Sequence, residues 1–322
     1  MKLLAKVFGL LIAAACALYP AAVFAESPKE LRVDYATYAP TSLVIRKMGW
    51  MEDEFKKDNI AVKWVFSQSS ANALDFLKKG SVDFGSTAGL AAVLARANGA
   101  TIKGVYIFSK PEWAALLVNK DSTITSVKEL KGKKIAANPG TDPYLFVLRS
   151  LELNGMRKSD VEIVPLAHVL GRKALEAKGV DAWGGLDPHL SASVLEAGSK
   201  IIYRNPDFCT YGFLNVSEAF AGAHSDVVKR VLKVYEKARQ WVIANQEATA
   251  KLMSEEGKIS IEVARLQMKR NDFSNSVPGI EQVKALKAGV PTLVAENLVP
   301  SEQAGLKAID DLIDSSYAKG LK

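Results

Sequence analysis

Side chains that can donate hydrogen bonds to an anion follow directly after several predicted strands of this chain. Helix N-termini collect unpaired backbone N–H groups and the positive end of the helix dipole, so the same positions favour an anion. Any one of these residues can equally be an ordinary N-cap, and the binding hypothesis depends on their recurrence in both halves of the chain. The candidates are Tyr38, Thr41, Ser42, Ser69, Ser70, Ser86 and Thr87 in the first half, and Gly140, Thr141 and Tyr144 in the second.

Four further candidates for ligand binding lie near strand ends of the second half: His168, Trp183, Asp187 and His189. Aromatic side chains here would line an apolar side of the ligand, although a Trp on a strand is more often part of the core. A carboxylate would repel an anion. We therefore expect Asp142 and Asp187 to cap their own helices, because each precedes a proline at a first-turn position.

The sequence offers no catalytic constellation. It contains no G-x-S-x-G elbow, no Cys-x-Pro-x-Arg pattern and no phosphate-binding loop. With 3 histidines in the whole chain, a metal site is not expected either. We predict a binding protein without cofactor rather than an enzyme.

Two segments share a pattern: "KKGSVDFGST", which ends at Thr87, and "AKGVDAWGGLDP", which runs from Ala177 to Pro188. Each closes a helical stretch and opens a short strand. Short strands alternate with helical stretches over both halves, which predicts parallel α/β layers built as two similar units.

The predicted fold class is α/β, with two lobes joined by a two-strand hinge and a ligand cleft between them. After "GFLNVS" only helical patterns follow, so we expect the chain to cross to a second lobe and return. Residues 26–115 and 214–322 form the predicted first lobe, and residues 116–213 form the second. Ligands of open α/β sheets bind at the carboxyl ends of the strands, which places the candidate residues in the cleft.

The first 25 residues have the features of an export signal: Lys2 and Lys6, a long apolar stretch, and small residues before Glu26. A lipid anchor at Cys16 is the alternative. Without this segment the formal charge of +7 falls to +5, with no block of five like charges, so nucleic acid is not an expected partner. Cys209 is then the remaining cysteine, which excludes an intramolecular disulfide.

Four segments, "LKKGSVDFGSTAG", "LVNKDSTITS", "VKELKGKKIAANPGT" and "AKGVDAWGGLDP", resemble the nitrate, sulfonate and taurine group of ABC-transporter substrate-binding proteins, in particular those for aliphatic sulfonates. The resemblance extends over the mature chain to about Ala223. It implies a periplasmic type II binding protein that closes on a small-molecule anion and delivers it to an ABC permease in the inner membrane.

The resemblance also implies a site, with some departures. The family's loops correspond to Tyr38 through Ser42, Ser69-Ser70, Ser86-Thr87, Gly140-Thr141 and Asp187-Pro188. Residues 68–70 read Gln-Ser-Ser where sulfonate binders have Pro-Ala-Gly, Ala88-Gly89 replaces Gly-Asp, and Leu186 replaces Trp. These changes keep the transport role and leave the ligand open between an organic sulfur oxyanion and a thiamine-precursor pyrimidine or other heterocycle. An enzyme on the same fold is the contrasting class.

Overall fold

Two β-sheets, each packed against helices, make up the residues described by a computed structural model of the chain, residues 27–321. The predicted export signal lies outside them. The first sheet contains β1 (Glu30–Tyr35), β2 (Ala61–Phe66), β3 (Phe84–Ala88), β4 (Ile102–Pro111), β10 (Gly212–Ser217) and β11 (Asn271–Asp272). The second contains β5 (Ala114–Val118), β6 (Lys134–Ala137), β7 (Glu162–Pro165), β8 (Ala182–Leu186) and β9 (Lys200–Tyr203).

Helices connect the strands and then form a long terminal stretch, as the sequence predicts. The helices that connect strands are α1 (Pro40–Met48), α2 (Trp50–Phe55), α3 (Ser70–Lys78), α4 (Gly89–Ala97), α5 (Asp142–Leu153), α6 (His168–Glu176) and α7 (His189–Ala197). The terminal helices are α8 (Glu218–Ala223), α9 (Ser225–Ala244), α10 (Gln246–Gly257), α11 (Ile261–Lys269), α12 (Ile280–Lys287), α13 (Val290–Ala295) and α14 (Glu302–Leu312). No helix within residues 27–321 is long and apolar enough to cross a membrane.

The two sheets repeat one arrangement. Each has three parallel strands in the order third, first, second, with an antiparallel strand beside the third: β10-β3-β1-β2 in one sheet and β5-β8-β6-β7 in the other. Both third strands, β3 and β8, are fully buried, as expected for central strands covered on both faces. The two Val-Asp segments of the sequence therefore open equivalent strands.

The repeated aspartate has the same structural role in both sheets. Asp83 accepts a hydrogen bond from the backbone N–H of Arg32 at 2.8 Å, and its own N–H donates to the Arg32 carbonyl. Asp181 makes the same pair of bonds with Lys134, also with a side-chain distance of 2.8 Å. Each carboxylate thus fixes where the third strand starts against the first. The repeat is a structural device that positions the strand ends.

Two short segments connect the lobes. The chain leaves the first sheet after Pro111 and enters the second at Ala114, and it returns between Tyr203 and Gly212. The predicted lobe boundaries, after residues 115 and 213, fall inside β5 and β10. The division into lobes at those residues stays a prediction. One expectation was wrong: residues beyond 217 are not purely helical, because Asn271–Asp272 pairs with the end of β4 beside the first crossing.

A buried carboxyl group, that of Asp34, lies on β1 in the first sheet. Asp34 is fully buried, and its Oδ1 accepts hydrogen bonds from the backbone N–H and the hydroxyl of Ser86, both at 2.9 Å. Its Oδ2 has no hydrogen-bond partner among residues 27–321. Burial raises the pKa of Asp34 to about 6, against the opposing effect of the bonds from Ser86.

This raised pKa predicts a pH-dependent stability that Asp34→Asn removes. The folded state holds the proton more tightly than the unfolded state, so its contribution is present below about pH 4 and is lost as the pH rises to about 6. The total is about 3 kcal/mol, from about two pKa units. Urea unfolding between pH 4 and 7 should therefore show Asp34→Asn gaining about 2 kcal/mol on the wild type, because part of the total is already lost at pH 4. Asp75→Asn, which removes an exposed carboxylate, is the control, and parallel profiles for wild type and Asp34→Asn would contradict the assignment.

Candidate functional site

A cavity of about 360 Å³ lies between the two lobes, at the carboxyl ends of strands from both sheets. From the first lobe it is lined by Thr37, Phe66, Gln68, Ser69 and Asn72. From the second it is lined by Asn138, Ala167, His168, Val169, Pro188 and His189, and Gly257 at the end of α10 completes the wall. The cavity is thus in the cleft that the sequence predicts, and we take it as the candidate ligand site.

Local helix signals place the first-lobe side chains. Ser69 is the N-cap of α3, where its hydroxyl oxygen accepts a hydrogen bond from the backbone N–H of Asn72 at 3.4 Å. This cap orients the first turn of α3 toward the cavity. Phe66, the last residue of the edge strand β2, keeps 42% of its side chain exposed and supplies an apolar surface.

The second lobe contributes the first residues of two helices. His168 begins α6 and His189 begins α7, and the two helices pack against each other. Burial lowers the pKa of His168 to about 3, with a further contribution from the nearby His189. Burial also lowers the pKa of His189 to about 4, and the charge of Arg172 acts in the same direction. Both imidazoles are therefore neutral near pH 7.

Among residues 27–321, no Lys, Arg, Asp or Glu lines this cavity. Its polar groups are two imidazoles, three side-chain amides and two hydroxyls. An ionised ligand held there would rely on neutral donors and on the first turns of α3, α6 and α7. A larger groove of about 930 Å³ lies elsewhere, between the end of α5 and the end of α13. It contains charged residues such as Glu152 and Arg157 and none of the predicted binding residues.

Three of the predicted residues line the cavity: Ser69, His168 and His189. Several predicted hydroxyls instead donate to groups of the protein. Ser86 donates to Asp34, Thr87 donates to the Ala88 carbonyl at 3.0 Å, and Thr141 donates to the Asn138 carbonyl at 2.6 Å. These three hydroxyls therefore make internal hydrogen bonds and do not line the cavity.

Four more predicted first-lobe residues are buried behind the cavity. The Tyr38 hydroxyl donates to the Ser86 carbonyl at 3.0 Å, and Ser42 donates to the Ala39 carbonyl at 2.7 Å. The Ser70 hydroxyl oxygen accepts from the Ala88 backbone N–H at 3.0 Å. Thr41 is fully buried and its Oγ1 has no partner among residues 27–321.

The remaining predicted residues of the second lobe are distributed between its core and the lobe interface. Trp183 is fully buried among Leu117, Leu175 and Leu190, so its role is in the core and we leave it out of the site. Tyr144 is also buried. Gly140 has φ +74°, and a Cβ there would lie 3.7 Å from the Ala71 side chain across the cleft, which shows how closely the two lobes approach.

The expected helix-capping role is wrong for Asp142. Its Oδ2 accepts from the indole N–H of Trp113 at 2.8 Å, and its Oδ1 accepts from the hydroxyl of Thr210 at 2.7 Å. Thr141 occupies the N-cap position of α5 instead. Burial raises the pKa of Asp142, while these two bonds oppose the shift. Because Trp113 and Thr210 belong to the two different crossing segments, Asp142 joins both of them to the second lobe.

Asp187 does bind the first turn of its helix, but it also joins the lobes. Its Oδ1 accepts from the backbone N–H of Ser191 at 2.9 Å and from the Ser191 hydroxyl at 2.5 Å. The guanidinium of Arg270, from the terminal helical region, lies 3.2 Å from Oδ2. The Asp187 charge is therefore compensated by Arg270 and does not enter the cavity as a free carboxylate. Burial raises the pKa of Asp187, against the effect of Arg270.

Sequence reasoning missed several residues of the cavity wall, among them Thr37, Phe66, Asn72 and Val169. Phe66 has the alternation expected of a half-buried strand and gives no binding signal. Asn72 lies within the helical pattern that predicts α3, and that pattern does not show which side chains face the cavity. Gly257 lies almost two hundred positions after the other first-lobe residues, and only the packing of α10 on α1 brings it to the site.

Comparison with known proteins agrees with this architecture. The family described as NMT1/THI5 like matches residues 46–249. A relative from Bacillus subtilis (strain 168) is 29% identical over 300 residues, covering 90% of this chain and 87% of the relative. One from Escherichia coli (strain K12) is 27% identical over 285 residues, covering 87% and 89%. Both carry the name "Putative aliphatic sulfonates-binding protein".

The fold is also shared with a solved structure. The alkanesulfonate-binding protein SsuA from Xanthomonas axonopodis pv. citri, bound to MOPS, superposes with a TM-score of 0.80 at 24% identity, covering 88% of this chain and 98% of that one. The predicted two-lobed α/β fold of periplasmic binding proteins is therefore confirmed, and so is the resemblance seen in the sequence. The chain belongs to the NMT1/THI5 like family.

Proposed function

We propose that this protein is the substrate-binding component of an ABC importer and that it captures a small organic sulfur oxyanion, such as an alkyl or aryl sulfonate, taurine or a sulfate ester. The observation that carries the proposal is the 360 Å³ cavity between the lobes, lined by neutral hydrogen-bonding groups and by no charged side chain. Lobe closure around the ligand and delivery to a permease of the inner membrane complete the proposed role.

A neutral cavity suits an oxyanion that is fully ionised at all physiological pH values. Such a ligand accepts several hydrogen bonds, and amide, imidazole and backbone N–H groups supply them. Loss of one such donor to a buried anion costs about 1 to 3 kcal/mol. The first turns of α3, α6 and α7 add partial positive charge. Phe66 and Val169 provide apolar surface for an organic tail.

The names of the relatives support the same class of ligand. Both curated relatives are named for aliphatic sulfonates, and the alkanesulfonate-binding protein holds MOPS, itself a sulfonate. These names describe binding proteins, which favours transport over catalysis. The predicted export signal adds a periplasmic location to the proposal.

The enzyme alternative finds no activated thiol at Cys209. Burial raises the pKa of the Cys209 thiol to about 12, so it is not a thiolate near pH 7. The heterocycle alternative requires an aromatic side chain stacked on a ring. The candidates for that role are Trp183, Tyr38 and Trp113, and all three are buried. Tyr38 and Trp113 pack edge-on against each other with ring centroids 5.9 Å apart. The aromatic rings that line the cavity are Phe66 and the imidazoles of His168 and His189.

A binding panel tests the proposed ligand class. Protein from Glu26 onward, purified in phosphate so that no sulfonate buffer occupies the cleft, is titrated with MOPS, taurine, alkanesulfonates, a sulfate ester, nitrate and a thiamine-precursor pyrimidine. We expect sulfonates to raise the melting temperature, since a ligand at one hundred times its Kd stabilises by about 2.7 kcal/mol. A response to the pyrimidine alone would refute the sulfur-oxyanion proposal.

Placing a carboxylate in the cavity tests whether the ligand is an anion. Asn72→Asp keeps the shape of the side chain and the oxygen that receives the Ser69 hydroxyl, and an acidic residue in the first turn suits α3. Repulsion in the cleft should weaken sulfonate binding at least about tenfold by isothermal titration calorimetry, with the melting temperature unchanged.

Gln303→Glu is the matched control, because it adds the same charge to the first turn of α14, away from the cavity. It should bind as the wild type does. Equal affinity in Asn72→Asp and wild type would mean that no anion is bound beside α3.

A further inference from the structure

Two large apolar side chains of the cavity wall are exposed, and they come from opposite lobes. Phe66 ends β2 and is 42% exposed, while Val169 lies in the first turn of α6 and is 43% exposed. Other large apolar residues with comparable exposure in the described part of the chain, such as Leu195 and Ile243, do not line this cavity. Isolated exposed apolar residues are normal, but a pair that lines one cavity from both lobes provides an apolar surface for a ligand.

Neighbouring side chains hold the Phe66 ring. Its centroid lies 5.2 Å from that of Tyr35, its partner residue on β1. The guanidinium of Arg46 lies 4.3 Å from the Tyr35 ring centroid and donates to the Glu256 carboxylate at 2.8 Å. Glu256 precedes Gly257, which belongs to the cavity wall. The ring is therefore packed against neighbours and still keeps exposed surface, which lowers the entropy cost of using it to bind a ligand.

The charge around the cavity distinguishes between ligand tails. The wall described above contains no charged side chain, and the first turns of α3, α6 and α7 supply partial positive charge. The carboxylate that precedes Pro188 of the wall, that of Asp187, is paired with Arg270. Such surroundings favour an oxyanion, whereas an ammonium group on its tail would be buried without an anionic partner. An uncharged tail avoids this cost.

We propose that Phe66 and Val169 form an apolar subsite that selects oxyanions with a compact, uncharged hydrocarbon tail, such as an aromatic ring or a short alkyl chain, over those whose tail carries an ammonium group. The inference rests on the proposed function, because it narrows the ligand class of the same cavity. The volume of about 360 Å³ is near the lower end of the range for small-molecule sites, about 300 to 1,000 Å³, so the tail must be compact. An aromatic ring gains most, since aromatic pairs add edge and face contacts to the burial of their surface.

Neutral acceptors are the competing way to hold an ammonium group. Gln68, Asn72 and Asn138 each have a side-chain carbonyl in the cavity wall. A neutral carbonyl compensates an ammonium group less than a carboxylate does, and helix N-termini disfavour a cation. A comparison of tails of equal size, with and without the charge, decides between the two.

Isothermal titration calorimetry of the protein from Glu26 onward, in phosphate, measures the effect of the tail. Taurine and propane-1-sulfonate are matched in size, and an ammonium group in the first replaces a methyl group in the second. We expect propane-1-sulfonate to bind at least about tenfold more tightly than taurine. Benzenesulfonate should bind at least about tenfold more tightly than methanesulfonate, because burial of an aromatic ring contributes on that scale.

Phe66→Ala and Val169→Ala test the two sides of the subsite. Each should lower the ratio of benzenesulfonate affinity to methanesulfonate affinity about threefold or more, because each removes apolar surface that contacts the tail. The ratio is taken within each variant, so a change that affects both ligands equally cancels. Phe66→Leu keeps an apolar side chain and should retain more of the ratio than Phe66→Ala. Melting temperatures verify that the variants fold.

Ile243→Ala is the matched control, because Ile243 is 42% exposed, as Phe66 is, but lies on α9 and does not line the cavity. Its ratio should equal that of the wild type. The inference is overturned, while the proposed function stands, if taurine binds as tightly as propane-1-sulfonate, if benzenesulfonate binds no more tightly than methanesulfonate, or if either alanine variant keeps the wild-type ratio. If no sulfonate binds at all, the inference falls together with the proposed function.

Discussion

The carboxylate of Asp142 is the contact that joins both crossing segments to the second lobe. It accepts one hydrogen bond from Trp113 in the outgoing segment and one from Thr210 in the returning segment, at 2.8 and 2.7 Å. Both crossing segments are therefore tied to the start of α5, whose first turn lies at the cleft. The Asp187 to Arg270 ion pair is a second buried link, between the start of α7 and the terminal helical region. Removal of one partner from such a buried pair leaves an uncompensated charge, so these links restrict the lobe orientations that the chain can adopt.

The repeated sheet arrangement explains why the ligand edge recurs in both lobes. Asp83 fixes the start of β3 against β1, and Asp181 fixes the start of β8 against β6. The positions at which β3 and β8 end in their sheets are therefore fixed as well. Pro188 and His189, just after β8, line the cavity. A frame fixed by backbone-directed carboxylates tolerates changes in the residues near the strand ends.

Much of this organisation follows from sequence patterns, and the remainder depends on packing. Alternating strands and helices, the Val-Asp repeat and the helix caps predicted two α/β lobes and a cleft at the strand ends. The same reasoning located Ser69, His168 and His189 at the cavity. Sequence patterns could not distinguish a hydroxyl that faces a ligand from one that donates to Asp34 or to the Asn138 carbonyl. Both kinds of hydroxyl are found near the ends of strands. It also could not assign Asp142, whose partners Trp113 and Thr210 are 29 and 68 positions away.

Some polar residues near the cleft bond to other groups of the protein and others remain available to a ligand. This separation explains why the cleft is neutral. Hydroxyls and carboxylates make internal bonds: Ser86 with Asp34, Thr141 with Asn138, and Asp187 with Ser191 and Arg270. Their bonds are strong because the surroundings are dry, and for the same reason an unpaired charge at this depth would be costly. The groups left for recognition are three amides, two neutral imidazoles and two hydroxyls, which bind through directional hydrogen bonds rather than through net charge. Discrimination between ligands of equal charge must therefore come from where their donors and acceptors lie.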